Sequence, residues 1–376
     1  MNNMNSEITF CAVGDVRILN NDPKFLLSHI KPTISAADIL FCQLESAYSN
    51  RGSQQQGIAF RAPPGGAAGL KDAGFDVIST AGNHCMDFGP DALLDTLDAL
   101  KENGLLSVGT GRNLDEARKP VIIDHDGTKI GFIAFNSIMA DGDWAEPDRA
   151  GCNAIRIYTQ DGKFYSGETS KPRRSDIMAS REDIAAMVDS VKKLKAEADI
   201  AIVSFHWGLS FSPIDLAPYQ SEVGHAAIDA GADLVLGHHP HILKAVEEYK
   251  GKVIFYSIGN FAFDHNTALS ANAQALYPGY KVEPGYEGYR FGVDSRKTII
   301  VRCSIADKKI RKIAVLPTYI NGKAQPQIVE RDDARFDEVV DYLKRVSAHH
   351  GFAASYRIEG DEAIIWSQAN IPETVS

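Results

Sequence analysis

Six short apolar runs in this chain each end on side chains able to hold a metal ion or a proton. Residues 8–13 run into Gly14-Asp15, residues 39–43 into Leu44-Glu45, and residues 75–80 into Gly82-Asn83-His84, with Asp87 close behind. Residues 200–205 run into His206-Trp207-Gly208, 233–236 into Gly237-His238-His239-Pro240-His241, and 253–257 into Gly259-Asn260. Runs this short, rich in β-branched residues and bounded by turn formers, read as buried strands. Helical stretches separate them, at 23–36, 65–73, 90–103, 182–198 and about 218–230. Pro90 opens the third of these and Gly104 closes it, the usual asymmetry of helix ends. Strands alternating with helices predict an α/β fold. Ligands of such folds bind in the crevice beyond the carboxyl ends of the strands.

The sheets are predicted to be mixed. Asp126-Gly127 joins the runs 121–124 and 129–135 as a hairpin, and 298–305 with 310–316 reads as a closing hairpin. Residues 139–180 are polar and read as a long surface excursion holding the basic cluster 171–174. A second loop region, 264–296, carries Tyr277, Tyr280, Tyr286, Tyr289 and Arg290, which suit either a lid or a packed loop. A helix at 331–347 and a short strand at 363–366 read as a C-terminal extension, 321–376, packed on a main domain of 7–320.

Composition narrows the partners. The 376 residues carry 39 basic and 49 acidic side chains, a net charge of −10, which argues against a nucleic-acid binder. A small anionic substrate stays open, because local positive groups override a distant net charge. No apolar run reaches the roughly 18 residues of a membrane span. The polar start lacks a secretory pattern. Five cysteines with no CxxC pair do not make a disulfide frame. A reducing, cytoplasmic setting is the expectation. The sequence sets no oligomeric state.

Five of the 11 histidines, His84, His206, His238, His239 and His241, fall just past strands. Carboxylate, amide oxygen and imidazole together are the ligands of one or two divalent transition metal ions, Mn, Zn, Fe or Ni. Taken singly, other readings stand: Asp15 as a helix cap, Glu45 as a partner for Arg17 or Arg61, His206 as a core histidine. Three imidazoles within four residues at 238–241 are harder to place in a plain core.

These ordered motifs, with Phe60-Arg61-Ala62-Pro63-Pro64, Ala73-Gly74-Phe75-Asp76 and Tyr256-Ser257-Ile258-Gly259-Asn260-Phe261, resemble the CapA-type poly-γ-glutamate (capsule) synthesis family. That family is a branch of the calcineurin-like metallophosphatase superfamily. The resemblance runs from about residue 7 to 320. It implies a four-layer α/β/β/α sandwich with mixed sheets and a dinuclear metal centre at the sheet edge. It makes Asp15, Glu45 (bridging), Asn83, His206, His239 and His241 the metal ligands, with His238 replacing His239 if the register slips by one. It makes His84 the group that works on the leaving group, with Asp87 placed to orient it. Arg17 stands where the superfamily's first motif carries a histidine, so one metal loses a ligand. Arg17, Arg61, His238 and Asn260 form the candidate substrate-binding set. Cys85 takes a position commonly acidic, as a packing residue or an acid–base group.

The implied activity is a metal-dependent hydrolase, in which metal-bound hydroxide attacks a phosphoester or a γ-glutamyl-type amide. Its substrate would be a small anion or a γ-glutamyl, peptide-like molecule linked to poly-γ-glutamate metabolism. Two alternatives accompany it. One is a non-catalytic binding or assembly subunit for polymer synthesis. The other is a metal-free acid–base enzyme, epimerase-like, using Cys85, Asp15 and His84.

Overall fold

Alternate residues of each central strand enter different hydrophobic clusters, and that alternation builds the layers. In the first strand, Ile8–Arg17, Ile8, Phe10 and Ala12 face one cluster while Cys11 and Val13 face another. In Ile200–His206, Ile200 and Ile202 join the first cluster, and Ala201, Val203 and Phe205 join a third. The period of two thus gives each sheet an inner and an outer apolar face. The computed structural model describes residues 7–19, 22–55, 57–167, 177–264, 282–352 and 354–368. The basic cluster at 171–174, Tyr277 and Tyr280 lie outside the described residues.

The larger sheet places Ile8–Arg17 between Ile39–Leu44 and Lys297–Ala306. On one side Ile39–Leu44, Val77–Ser79 and Leu106–Val108 run parallel to it. On the other, Lys297–Ala306, Lys309–Ile320, Glu362–Ser367 and Arg357–Glu359 continue antiparallel. In the second sheet Thr128–Asn136, Ile200–His206, Leu234–His238 and Lys252–Phe255 are parallel, with Val121–His125 and Val246–Tyr249 as antiparallel edges. The inner faces meet through Phe10, Phe41, Phe132, Leu236 and Phe255. The helix Gly66–Ala73 covers the outer face of the larger sheet with Leu70, and Arg181–Glu197 and Pro218–Asp229 cover the second with Val191, Leu194 and Val223. The result is the expected α/β/β/α sandwich with mixed sheets.

Two expectations need correction, and one strand was not foreseen. The predicted helix over 23–36 is two four-residue helices, Pro23–Leu26 and Lys31–Ile34. Pro32 has no N–H to donate, and its ring would clash with the preceding turn of a continuous helix. The stretch 139–180 is not simply a surface excursion. Met139, Cys152, Ile155, Ile157 and Tyr165 are buried, and Ile157–Thr159 pairs with Ile177–Ala179. Its apolar residues are too sparse to show a period. Asn260–Phe263, to which the sequence assigned no element, is a strand lying parallel to the end of Ile8–Arg17, with Asp15 opposite Asn260 and Arg17 opposite Phe263.

The C-terminal helix Ala334–His349 closes the sandwich. Phe336, Val339, Val340, Leu343 and Val346 enter the cluster between the sheets. Ser347 Oγ accepts a hydrogen bond from the Val246 N–H of the second sheet, 2.9 Å away. This helix therefore joins both sheets rather than decorating one. Phe336→Ala should destabilise the protein by about 3–5 kcal/mol through the cavity it leaves. A urea midpoint unchanged from wild type would show that the helix is not part of the core.

Candidate metal centre

Parallel strands in register carry their last residues to one level. His206 pairs with His238 and with Asn136, and Asp15 pairs with Gln43 and Asn260. The backbone at the end of the first strand is pressed against the segment before Asn260. The Asp15 N–H donates to the Gly259 carbonyl at 3.0 Å. A Cβ on Gly14 would sit 1.9 Å from that same carbonyl oxygen, so only glycine allows the approach. This contact puts Asp15 beside residues of the other sheet.

There Asp15 Oδ1 accepts from His238 Nδ1 at 3.0 Å and Oδ2 from the His239 N–H at 3.1 Å. His241 Nδ1 donates to Asn260 Oδ1 at 2.8 Å and lies 3.6 Å from Asp15 Oδ2. His206 Nε2 donates to Asn83 Oδ1 at 2.8 Å and stands 3.3 Å from Glu45 Oε1. Ser210 Oγ bonds His239 Nε2 at 2.9 Å. Asp15, Glu45 and His206 each offer a ligand atom within 4.8 Å of the others. All are buried.

The unpaired atoms carry the argument. Both carboxylate oxygens of Glu45 are buried without a hydrogen-bond partner among the described residues. So are His206 Nδ1, His238 Nε2 and His239 Nδ1. A buried polar atom left unbonded costs about 1–3 kcal/mol, and more when charged. Burial pushes the carboxyls of Asp15 and Glu45 up to about 8. It pulls His206 and His239 well below the usual imidazole range, and His238 and His241 down to about 3. Neutral imidazoles beside carboxylates that want a counter-charge are a donor set fitted to a divalent transition metal. Asp15, Glu45, Asn83, His206, His239 and His241 are the residues that could hold it, with His238 Nε2 as a further open nitrogen.

His84 is set apart from these. Its Nδ1 donates to Asp87 Oδ2 at 2.9 Å, and the same oxygen accepts from the Phe60 N–H at 2.6 Å. Its Nε2 faces Asn83 Nδ2 at 3.1 Å and Glu45 Oε2 at 3.8 Å. Burial lowers its pKa, but the charge and hydrogen bond of Asp87 outweigh that and leave it raised.

The substrate-binding candidates divide. Asn260 and His238 sit in the cluster. Arg17 is buried at its mouth, with Nε and Nη2 donating to the Asp264 carbonyl at 3.2 and 3.0 Å. The alternative pairing of Glu45 with Arg17 or Arg61 is not seen among the described residues. Arg61 is not brought to the site: its exposed guanidinium donates to the Arg51 carbonyl at 3.1 Å and lies over the Phe88 ring. The motif holding it is extended backbone next to that loop, which turns alternate side chains outward. Cys85 is a free thiol packed with Met86, Leu93 and Leu97, and the neighbouring Cys152 thiol and burial drive its pKa well up.

Sequence reasoning missed Phe263, Asp264 and the part played by Tyr289. Asn260 Nδ2 donates to Tyr289 Oη at 2.8 Å, and Tyr289 donates to the Ser295 carbonyl at 2.6 Å, so a buried tyrosine fixes the amide that faces His241. The aromatic Phe261 and Phe263, favoured in strands, were the available local signal.

A family model described as bacterial capsule synthesis protein PGA_cap matches residues 9–265. The chain belongs to that family. Every candidate ligand lies within the PGA_cap match, whereas Tyr289 and the closing helix lie beyond it. The chain is similar to the PGA biosynthesis protein CapA of Bacillus subtilis (strain 168), 30% identical over 243 residues, covering 64% of this chain and 57% of that one. It is also similar to the capsule biosynthesis protein CapA of Bacillus anthracis, 29% identical over 273 residues, covering 69% and 61%. The matches thus span less than two thirds of these relatives' length. Among solved structures, the calcineurin-like phosphoesterase YfkN from Bacillus subtilis is 13% identical with a TM-score of 0.38, over 90% of this chain and 98% of that one. Among the described residues no helix is long and apolar enough to cross a membrane.

The titrations predict a pH signature. Asp15 and Glu45, raised to about 8 in the fold, hold protons that the unfolded chain has already lost. Stability therefore falls as pH rises towards 8. The buried histidines act oppositely, but only below their unfolded value of 6.5. His84, raised, adds to the fall. Chelated protein should thus lose a few degrees of Tm between about pH 6.5 and 8, while metal-loaded protein should not. A flat or rising profile in chelated protein would contradict the assignment of these buried carboxyls.

Proposed function

We propose that this PGA_cap protein is a metal-dependent hydrolase whose site cleaves a phosphoester or a γ-glutamyl amide. The observation that carries the reading is the Glu45 carboxylate, buried and unbonded on both oxygens, facing His206 and His84. A divalent ion held there would polarise the bond to be cut and supply a nucleophilic hydroxide near neutral pH. The chain's own groups would do the rest. Asp15, Glu45, Asn83, His206, His239 and His241 would hold the ion. Asp87, taking the Nδ1 proton of His84, fixes that ring with Nε2 turned towards the ligands. The raised pKa of His84 would favour a proton at Nε2, for a departing oxygen or nitrogen, once the Asn83 amide no longer donates to it. The burial of the cluster limits water around that proton.

The relatives' names, biosynthesis of PGA and of capsule, support a substrate drawn from γ-glutamyl chemistry. They equally suit a binding or assembly subunit, but such a subunit has no need of the His84–Asp87 pair. The metal-free acid–base reading gains no support from Cys85, whose thiol is packed and held protonated.

His84→Ala should leave metal content near wild type and lower kcat by about 10²–10⁴-fold on substrates with poor leaving groups. Nitrophenyl esters, which need less protonation, should suffer much less. Asp87→Asn should show a milder form of the same pattern. Loss of metal in His84→Ala would make His84 a ligand. An equal loss on both substrate types would replace proton transfer by positioning. Wild-type protein that hydrolyses neither phosphoesters nor γ-glutamyl amides when loaded with metal would favour the assembly subunit.

A further inference from the structure

Arg17 is a cation built into the mouth of the centre. It lies two residues beyond Asp15 on the same strand, so both side chains leave the same face. Its guanidinium carbon sits 3.8 Å from the centre of the Phe60 ring and 4.0 Å from that of Phe263. Those rings in turn pack on the two sides of the site. Phe60 lies edge-on to His84 at 4.5 Å, and Phe263 edge-on to His241 at 5.2 Å. The guanidinium is thus fixed between His84 and the Asp15–His241 side of the ligand cluster. Nε and Nη2 are spent on the Asp264 carbonyl, which sets its orientation. Among the described residues it has no direct ion pair. Glu45 lies close enough to act on its charge, as do Asp264 and Asp87.

Charge counting then limits the number of ions. Asp15 and Glu45 carry two negative charges when ionised, and one divalent ion neutralises both. With Arg17 facing Asp264 and Asp87, a second ion would leave two positive charges uncompensated at Asp15 and Glu45 in a buried site with neutral imidazoles, which is unfavourable at low dielectric. Only one set of His and carboxylate atoms among the described residues already converges to ligand spacing, namely Asp15, Glu45 and His206.

We infer that this chain binds one divalent ion rather than two, and that Arg17 stands in for a second, holding an oxyanion of the substrate over the site. The inference rests on the metal-hydrolase reading above. A planar guanidinium suits either source of that oxyanion, a phosphoryl group or a glutamyl carboxylate, through charge-assisted hydrogen bonds.

The test counts metal and measures anion binding. Wild-type protein, chelated and reloaded with Mn(II) or Zn(II), should hold one ion per chain by elemental analysis. Two ions would overturn this inference and leave the hydrolase reading intact. None would overturn the metal reading itself. Arg17→Met should keep the single ion yet weaken binding of inorganic phosphate, or of a γ-glutamyl dipeptide, by about 10- to 100-fold by calorimetry. Whichever of the two probes loses affinity identifies the oxyanion. Unchanged affinity for both, or loss of the ion, would overturn the role given to Arg17. If the variant does not fold, the wild-type ion count still decides the inference.

Discussion

The apposition of Asp15 and Glu45, two carboxylates buried between the sheets, is the constraint around which the molecule is organised. Neither carboxylate has an arginine or lysine at ion-pair distance among the described residues. Asp15 is held by the His238 ring and the His239 backbone, and Glu45 is held by nothing among the described residues. Such an arrangement survives only in a scaffold rigid enough to impose it and with a counter-charge to relieve it. The scaffold is the sandwich: parallel strands in each sheet end at one level, and inner faces packed through Phe10, Phe41 and Phe132 hold the two levels together. The Gly14–Gly259 approach couples the levels at the site itself.

Outer groups then turn the ligands to face inward. Asn83 orients His206, Ser210 orients His239, and Tyr289 orients Asn260, which orients His241. Each such bond occupies one nitrogen or amide edge and leaves the other side for a cation, the usual logic of the groups surrounding a metal's ligands. The same economy separates His84, whose bond to Asp87 favours a protonated ring, from the four histidines kept neutral.

Much of this was legible in the sequence because strand ends carry their chemistry openly. The placing of Asp15, Glu45, Asn83, His206 and the 238–241 histidines after apolar runs predicted where they would converge. Strand–helix alternation with the hairpins at 121–135 and 298–316 pointed to a mixed α/β fold, and the two-sheet sandwich came from the resemblance to the capsule-synthesis family. What escaped depends on packing rather than pattern. Arg61 follows the same kind of signal as Arg17, yet only Arg17 falls on the strand face that looks into the site. Phe263 and Asp264 sit where a four-residue strand is too short to show a period. The two-sheet role of the helix Ala334–His349 needs a contact made across 101 residues, and no local rule reveals it. Pro32 marks the break between the two short helices.

Membership of the PGA_cap family covers the ligand cluster and stops before the hairpin and helix that close the fold. The site and the parallel strands that carry it therefore lie within the match, and only the closing hairpin and helix lie beyond it. The most direct test of the account is anomalous X-ray diffraction from crystals of the chelated and Mn(II)- or Zn(II)-reloaded protein, recorded at the metal's absorption edge. The account predicts an anomalous peak about 2.0–2.3 Å from a Glu45 carboxylate oxygen, with His206 among its ligands. No peak at Glu45, with its carboxyl protonated or bonded to water alone, would contradict it.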